Sequence, residues 1–151
     1  MHSRRQALKK TAVVAGLLAS TGLFPHIAFA FSKDAFETKS IQDAVKALGG
    51  GTLAASKDVI LTAPDIAENG SVVPFAVSTT LSGVKRLLIL VEKNPAALVA
   101  LFNVTDSVEP AFSTRAKMGQ SSDVYAVAIM ADGKALFAKK EVKVTLGGCG
   151  G

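Results

Sequence analysis

The one cysteine of this chain, Cys149, stands in the run Gly147-Gly148-Cys149-Gly150-Gly151. A thiol attacks as its thiolate, and glycine has no Cβ. Four glycines therefore give Cys149 neighbours that cannot pack over it. A structural cysteine is normally buried like a small hydrophobe; this one reads as an exposed thiol on a flexible arm. The last predicted strand ends near Leu146, and three residues of extended chain reach about 10 Å. That distance would place the thiol in a cleft of another protein, and the bare flanks would let a narrow channel admit it. Ordering such an arm costs about 1–2 kcal/mol per residue. The tip alone thus predicts weak, transient binding, suited to a group that is handed on.

Nothing beside the thiol lowers its pKa. Lys143 is too far along the strand, and the carboxylate of Gly151 disfavours the thiolate. Activation is expected from whichever protein receives the arm. Several chemistries stay open for Cys149. It could carry a covalent intermediate, or it could join two chains through an intermolecular disulfide. A peroxidatic or resolving role lacks a neighbouring His, Arg or second Cys. Prenylation fails, because the cysteine is third from the end of the sequence, not fourth.

Histidine removes further classes. His2 and His26 both precede residue 31, within the segment read below as a signal. The remaining chain then has no Ser-His-Asp triad and no Cys-His dyad. A zinc site would need one Cys and carboxylates, so no metal and no cofactor is expected. Asp58, Asp65, Asp106, Asp123 and Asp132 are scattered, without calcium-loop spacing. The chain is not expected to be an enzyme by itself.

Residues 1–30 read as a cleaved export signal. A paired-arginine start, Ser3-Arg4-Arg5-Gln6-Ala7-Leu8-Lys9, precedes a mildly apolar stretch from Thr11 to Phe24. Pro25 and the small-residue site Ala28-Phe29-Ala30 follow. The layout resembles a twin-arginine signal, with Ala7 where Phe is usual; the other reading is an ordinary secretory signal. Both predict an exported protein of 121 residues, from Phe31 to Gly151, large enough for one core. The signal also carries most of the charge. The chain has 17 basic and 12 acidic residues, but Arg4, Arg5, Lys9 and Lys10 precede Phe31, leaving 13 against 12. A nearly neutral domain gives no reason to expect nucleic-acid or membrane binding. No second long apolar run predicts a transmembrane helix. With one cysteine there is no internal disulfide, and packing must supply the stability.

The elements that would hold the arm follow from periodicity. The spacing predicts a short helix over Lys33–Leu48, with Ser40-Ile41-Gln42-Asp43 in the form of a capping box. Ile41, Ala44, Val45 and Leu48 share one face, and Gly49-Gly50-Gly51 ends the helix. Beyond it the pattern is strand-like. The predicted strands cover Val59–Leu61, Ser71–Leu81, Val84–Val91, Leu98–Val104, Ala111–Lys117, Asp123–Ala131 and Ala135–Leu146. Glu68-Asn69-Gly70 and Asn94-Pro95 mark turns, and Asp132-Gly133 marks a hairpin. Leu98–Phe102 could instead be a helical turn. In the last strand Val142, Val144 and Leu146 share a face, with Lys143 and Thr145 opposite. About seven short strands predict an all-β, two-sheet antiparallel sandwich.

The tail resembles the SoxY family of thiosulfate-oxidation carrier proteins at every position from Gly147 to Gly151. The helix Ser40-Ile41-Gln42-Asp43-Ala44-Val45, the Asn94-Pro95 turn before an apolar strand and the β-rich body are softer points of likeness. The resemblance implies an immunoglobulin-like antiparallel β-sandwich over residues 31–146, with residues 147–151 as the carrier arm. It implies that Cys149 is the covalent carrier of sulfur intermediates and that the chain pairs with a SoxZ subunit. Its transient partners would be the haem enzyme SoxAX, the hydrolase SoxB and, in some organisms, the sulfane dehydrogenase SoxCD. Twin-arginine export would bring the folded pair to the periplasm. The apolar stretches Leu87–Val91 and Leu98–Phe102 are expected to be incompletely buried in so small a domain and to need that partner. The competing reading is an exported binding module that dimerises through a Cys149 disulfide.

Overall fold

The unbroken apolar run of the central strands is explained by what lies on either side of them. A computed structural model describes residues 33–147. All of them belong to one compact unit. Two short helices, α1 (Lys33–Glu37) and α2 (Ile41–Ala47), precede nine strands. These are β1 (Leu53–Ala55), β2 (Val59–Thr62), β3 (Ile66–Ala67), β4 (Val73–Thr79), β5 (Val84–Val91), β6 (Leu98–Asn103), β7 (Ala111–Ala116), β8 (Ser122–Met130) and β9 (Ala135–Val144). The large sheet has the order β1-β9-β8-β5-β6, with β3 also on β9; the small sheet is β2-β4-β7.

The two sheets form the expected sandwich, and the helices add a third layer on the outer face of the large sheet. Adjacent residues of β5 and β8 therefore enter different cores. Leu87, Ile89, Val91, Val124, Ala126 and Ala128 pack between the sheets with Phe75 and Val77 of β4. Leu88, Leu90, Val127 and Ile129 pack under the helices with Ala44, Val45 and Leu48. A strand buried on both faces has no reason to alternate.

This layering corrects one expectation. Leu87 to Val91 have no exposed surface at all, because β5 has a strand on either side and a layer on either face. Only the β6 stretch from Val99 to Phe102 is half-buried, since β6 ends its sheet. The ring of Phe102 stacks on Phe112 of β7, centroids 4.5 Å apart and planes 3° from parallel, which ties the edges of the two sheets together.

Local chemistry sets the boundaries. The single predicted helix is two, because Ser40 takes an extended conformation (φ −102°, ψ 133°) and its hydroxyl accepts from the Asp43 amide as the cap of α2. The Thr38 hydroxyl donates to the Ala35 carbonyl at 3.1 Å as α1 ends. Gly49 ends α2 at φ +83°, where a side chain would be strained. Arg86 donates to the Leu48 carbonyl and so secures the helix end to β5. Asp132-Gly133 turns β8 into β9 as expected, with the Asp132 carboxylate accepting from the Lys134 amide at 3.0 Å.

The sandwich is not wholly antiparallel. β1 and β3 both run parallel to β9, at Leu53↔Ala135 and Ile66↔Lys143. They lie end to end along the edge of β9 that β8 leaves open. Both are too short for their periodicity to show in sequence. Among the described residues no helix is long and apolar enough to cross a membrane.

Candidate functional site

The site to be built is the point where the chain leaves the sandwich. β9 carries the chain there, held along its length by β8 from Ser122↔Val142 to Ile129↔Ala135. Its last residues are then fixed from both sides. The Val144 amide donates to the Ser121 hydroxyl at 2.8 Å. The Thr145 amide donates to the Ala67 carbonyl at 3.1 Å, and the Gly70 amide donates to the Leu146 carbonyl at 2.7 Å. The Thr145 hydroxyl donates to the Glu68 carbonyl at 3.1 Å. The loop from Glu68 to Gly70, read from the sequence as a turn, is thus the clamp on the end of β9.

Gly147 is the one residue of the predicted arm among those described. It runs over Gly119: a Cβ on Gly147 would lie 2.5 Å from the Gly119 carbonyl oxygen, closer than side chains approach backbone. Glycine is required here for close approach. Asn94 fixes the underlying loop. Its amide donates to the Lys117 carbonyl at 2.7 Å, and its side-chain oxygen accepts from the Gly119 amide at 3.1 Å. Met118 is fully buried, and its amide donates to the Gly70 carbonyl at 2.7 Å. The sequence marked Asn94 as a turn residue but offered no signal for Gly119, whose partner lies 28 residues on. Gly148, Cys149, Gly150 and Gly151 lie outside the described residues.

Leu146 departs from the expected pattern. Val142 is buried and Val144 half-buried, but β9 stops at Val144, and Leu146 is 61% exposed. Beside the exit, an open hollow of about 440 Å³ is bounded by Asn94, Leu98, Val99, Arg115, Lys117 and Gly119.

The electrostatic features lie along the sheet. The Lys140 ammonium meets Asp65 at 2.9 Å and donates to the Ala63 carbonyl at 2.6 Å, holding the β2–β3 loop to β9. Lys139 meets Asp123 at 2.8 Å, 5.8 Å from the Tyr125 ring centre. The Asp123 hydrogen bond, then the charges of Tyr125 and Asp123, raise the Lys139 pKa. Partial burial, then the Glu92 charge, raise that of Tyr125. Among the described residues no group of three or more His, Cys, Asp or Glu side chains could hold a metal ion.

With this geometry in hand, comparison with known proteins is decisive. The family described as sulfur oxidation protein SoxY matches residues 44–149, so the match runs through the clamp and the exit to Cys149. The chain belongs to the SoxY family. The solved structure of the sulfur carrier protein SoxY from Chlorobium limicola f thiosulfatophilum is 34% identical. That likeness covers 69% of this chain and 94% of the other, with a TM-score of 0.62. A superoxide reductase (neelaredoxin) from Ignicoccus hospitalis is 15% identical over 61% of this chain and 94% of its own, TM-score 0.54. A putative superoxide reductase from Thermotoga maritima is 10% identical over 61% and 93%, TM-score 0.51. At those identities the likeness is of fold alone, which recurs under many functions. No curated protein matches the chain. SoxY membership and the sandwich thus agree with the expectation from the tail.

Proposed function

We propose that this protein is a periplasmic sulfur carrier of thiosulfate oxidation, holding its cargo covalently on Cys149 and catalysing none of the steps itself. The observation that carries this reading is the SoxY match that ends at Cys149, on a chain whose body is clamped up to Leu146. A rigid support and a side-chain-free tip suit a handle that enters active sites rather than forming one. The absence of histidine after residue 30 accords with a carrier whose reactivity is set by its partners.

In the loading step thiosulfate and the thiol form a sulfur–sulfur bond. One proton and two electrons leave, the electrons to the haem enzyme SoxAX, and a cysteine S-thiosulfonate remains. Water then attacks the terminal sulfonate sulfur in SoxB, and sulfate departs with a proton, leaving a persulfide on Cys149. Where SoxCD is present it takes the electrons as that outer sulfur is oxidised to the sulfonate level, with water supplying the oxygens and solvent taking the protons. Hydrolysis then releases sulfate with a proton and returns the free thiol. The chain pairs with SoxZ, and residues 1–30 are removed after twin-arginine export, leaving residues 31–146 as the body and 147–151 as the arm.

Intact-mass measurement of the protein from thiosulfate-grown cells tests the reading. Adducts of sulfur or thiosulfate on Cys149 are expected, and Cys149→Ser should abolish thiosulfate-dependent electron transfer in the reconstituted system while keeping the fold. A Cys149→Ser protein with full activity would refute the carrier role. So would a stable, reducible Cys149-linked dimer that bears no sulfur adduct.

A further inference from the structure

The turn Asn94-Pro95 joins β5 to β6, yet its asparagine serves a distant part of the chain. Pro95 narrows the backbone choices of Asn94. The Asn94 backbone amide donates at 3.3 Å to the carbonyl of Val91, the fully buried end of β5. The side chain then bridges the loop that follows β7. Its amide nitrogen donates to the Lys117 carbonyl at 2.7 Å, and its oxygen accepts from the Gly119 amide at 3.1 Å. Both polar ends of one side chain are thus bonded to backbone 23 and 25 residues further on. Gly119 is the floor under Gly147, its carbonyl oxygen 2.5 Å from where a Cβ of Gly147 would stand. On its other side the loop is tied by backbone alone. The Met118 amide donates to the Gly70 carbonyl at 2.7 Å, and the Gly70 amide donates to the Leu146 carbonyl at 2.7 Å.

We propose that Asn94 is a positioning residue for the carrier reaction: it fixes the root of the arm, so that Cys149 is presented from one point on the body. The inference rests on the carrier reading. Two residues of extended chain from Gly147 to Cys149 span at most about 7 Å, so even a small shift of the root is a large fraction of the reach. The effective concentration of a tethered group falls roughly as the −3/2 power of tether length. With Gly147 held against Gly119, the tether to the thiol is two residues. With the loop released it is three, because the Leu146 carbonyl stays bonded to Gly70. That change lowers the effective concentration of the thiol at an enzyme's entrance roughly twofold, and the lost direction of exit lowers it further. Such pre-organisation acts before the thiol is seated, so it alters KM rather than the chemistry.

The test uses the protein as cells produce it, with its single cysteine as the probe. In one measurement a nitroxide is attached to Cys149 and its electron paramagnetic resonance spectrum is recorded. In the other, unlabelled protein is titrated into the reconstituted thiosulfate-oxidising system. Asn94→Ala should shift the spectrum toward faster motion and raise the carrier KM at least roughly twofold, with kcat held. Asp132→Ala controls for lost stability, since it removes a side-chain bond at the opposite end of β8 and β9. It should leave both spectrum and KM at wild type. Either readout unchanged in Asn94→Ala would overturn the proposal and leave the carrier reading standing, as would an equal response in Asp132→Ala. A wild-type protein that supports no turnover would sink the carrier reading and this inference together. If Asn94→Ala fails to fold, Asn94→Ser takes its place with the same expectation, because the shorter side chain cannot bridge Lys117 and Gly119.

Discussion

Gly147 passes directly over the carbonyl of Gly119, leaving no room for a Cβ, which would stand 2.5 Å from that oxygen. The contact fixes where the chain leaves the body, and Asn94 holds Gly119 beneath it through its bonds to Lys117 and Gly119. Gly147→Ala must therefore displace the exit or the loop below. Such overpacking costs about 1–3 kcal/mol. A lowered urea midpoint is expected with an unchanged slope. A midpoint equal to wild type would show that the chain is not held against Gly119.

The two glycines also show where sequence reasoning stops. Glycine around a lone cysteine was legible as an arm, since the reading needs only local backbone chemistry. That Gly147 also serves a close approach was not, because Gly119 is its neighbour only after the fold has formed. The same division runs through the body. Ser40, Gly49 and Asp132-Gly133 act within a few residues, and each does in the structure what its type predicts. β1 and β3 escaped notice because three and two residues carry no period, and their pairing with β9 is parallel and long-range. The run Leu87–Val91 was legible as a strand, but not as one buried on both faces and serving two cores. A third layer of helix leaves the same apolar signature as a partner subunit would. Alternation sets Leu146 on the face of Val142 and Val144, but alternation ceases at Val144 where the strand does.

The cluster of Tyr125, Lys139 and Asp123 makes stability fall at alkaline pH. Partial burial and the Glu92 charge raise the Tyr125 pKa above its ordinary 10.0. The Asp123 hydrogen bond raises Lys139 above 10.5. Both groups keep in the folded protein a proton that the unfolded chain releases first. Their contribution is thus complete below about pH 10 and is lost as pH rises through the folded-state values. Urea midpoints measured from about pH 8 to pH 11 should decline above pH 10. Tyr125→Phe should flatten part of that decline, and an identical decline in both proteins would count against the coupling.

Leu87 and Leu88 are neighbours in sequence, both without exposed surface, yet they support different layers. Leu87 packs between the sheets, and Leu88 packs beneath α1 and α2. Truncation of either to alanine should cost about 2–5 kcal/mol, from lost burial and the cavity left behind. The distribution of the damage should differ. Leu88→Ala removes the floor on which Val45 and Leu48 rest, and a helix of seven residues holds little structure without such packing. Amides of residues 41–48 should then exchange with solvent faster than those of β4. Leu87→Ala should instead speed exchange in β4 and spare the helix. Hydrogen exchange read residue by residue separates the two outcomes, and matching profiles in the two variants would mean that both cores open as a single unit.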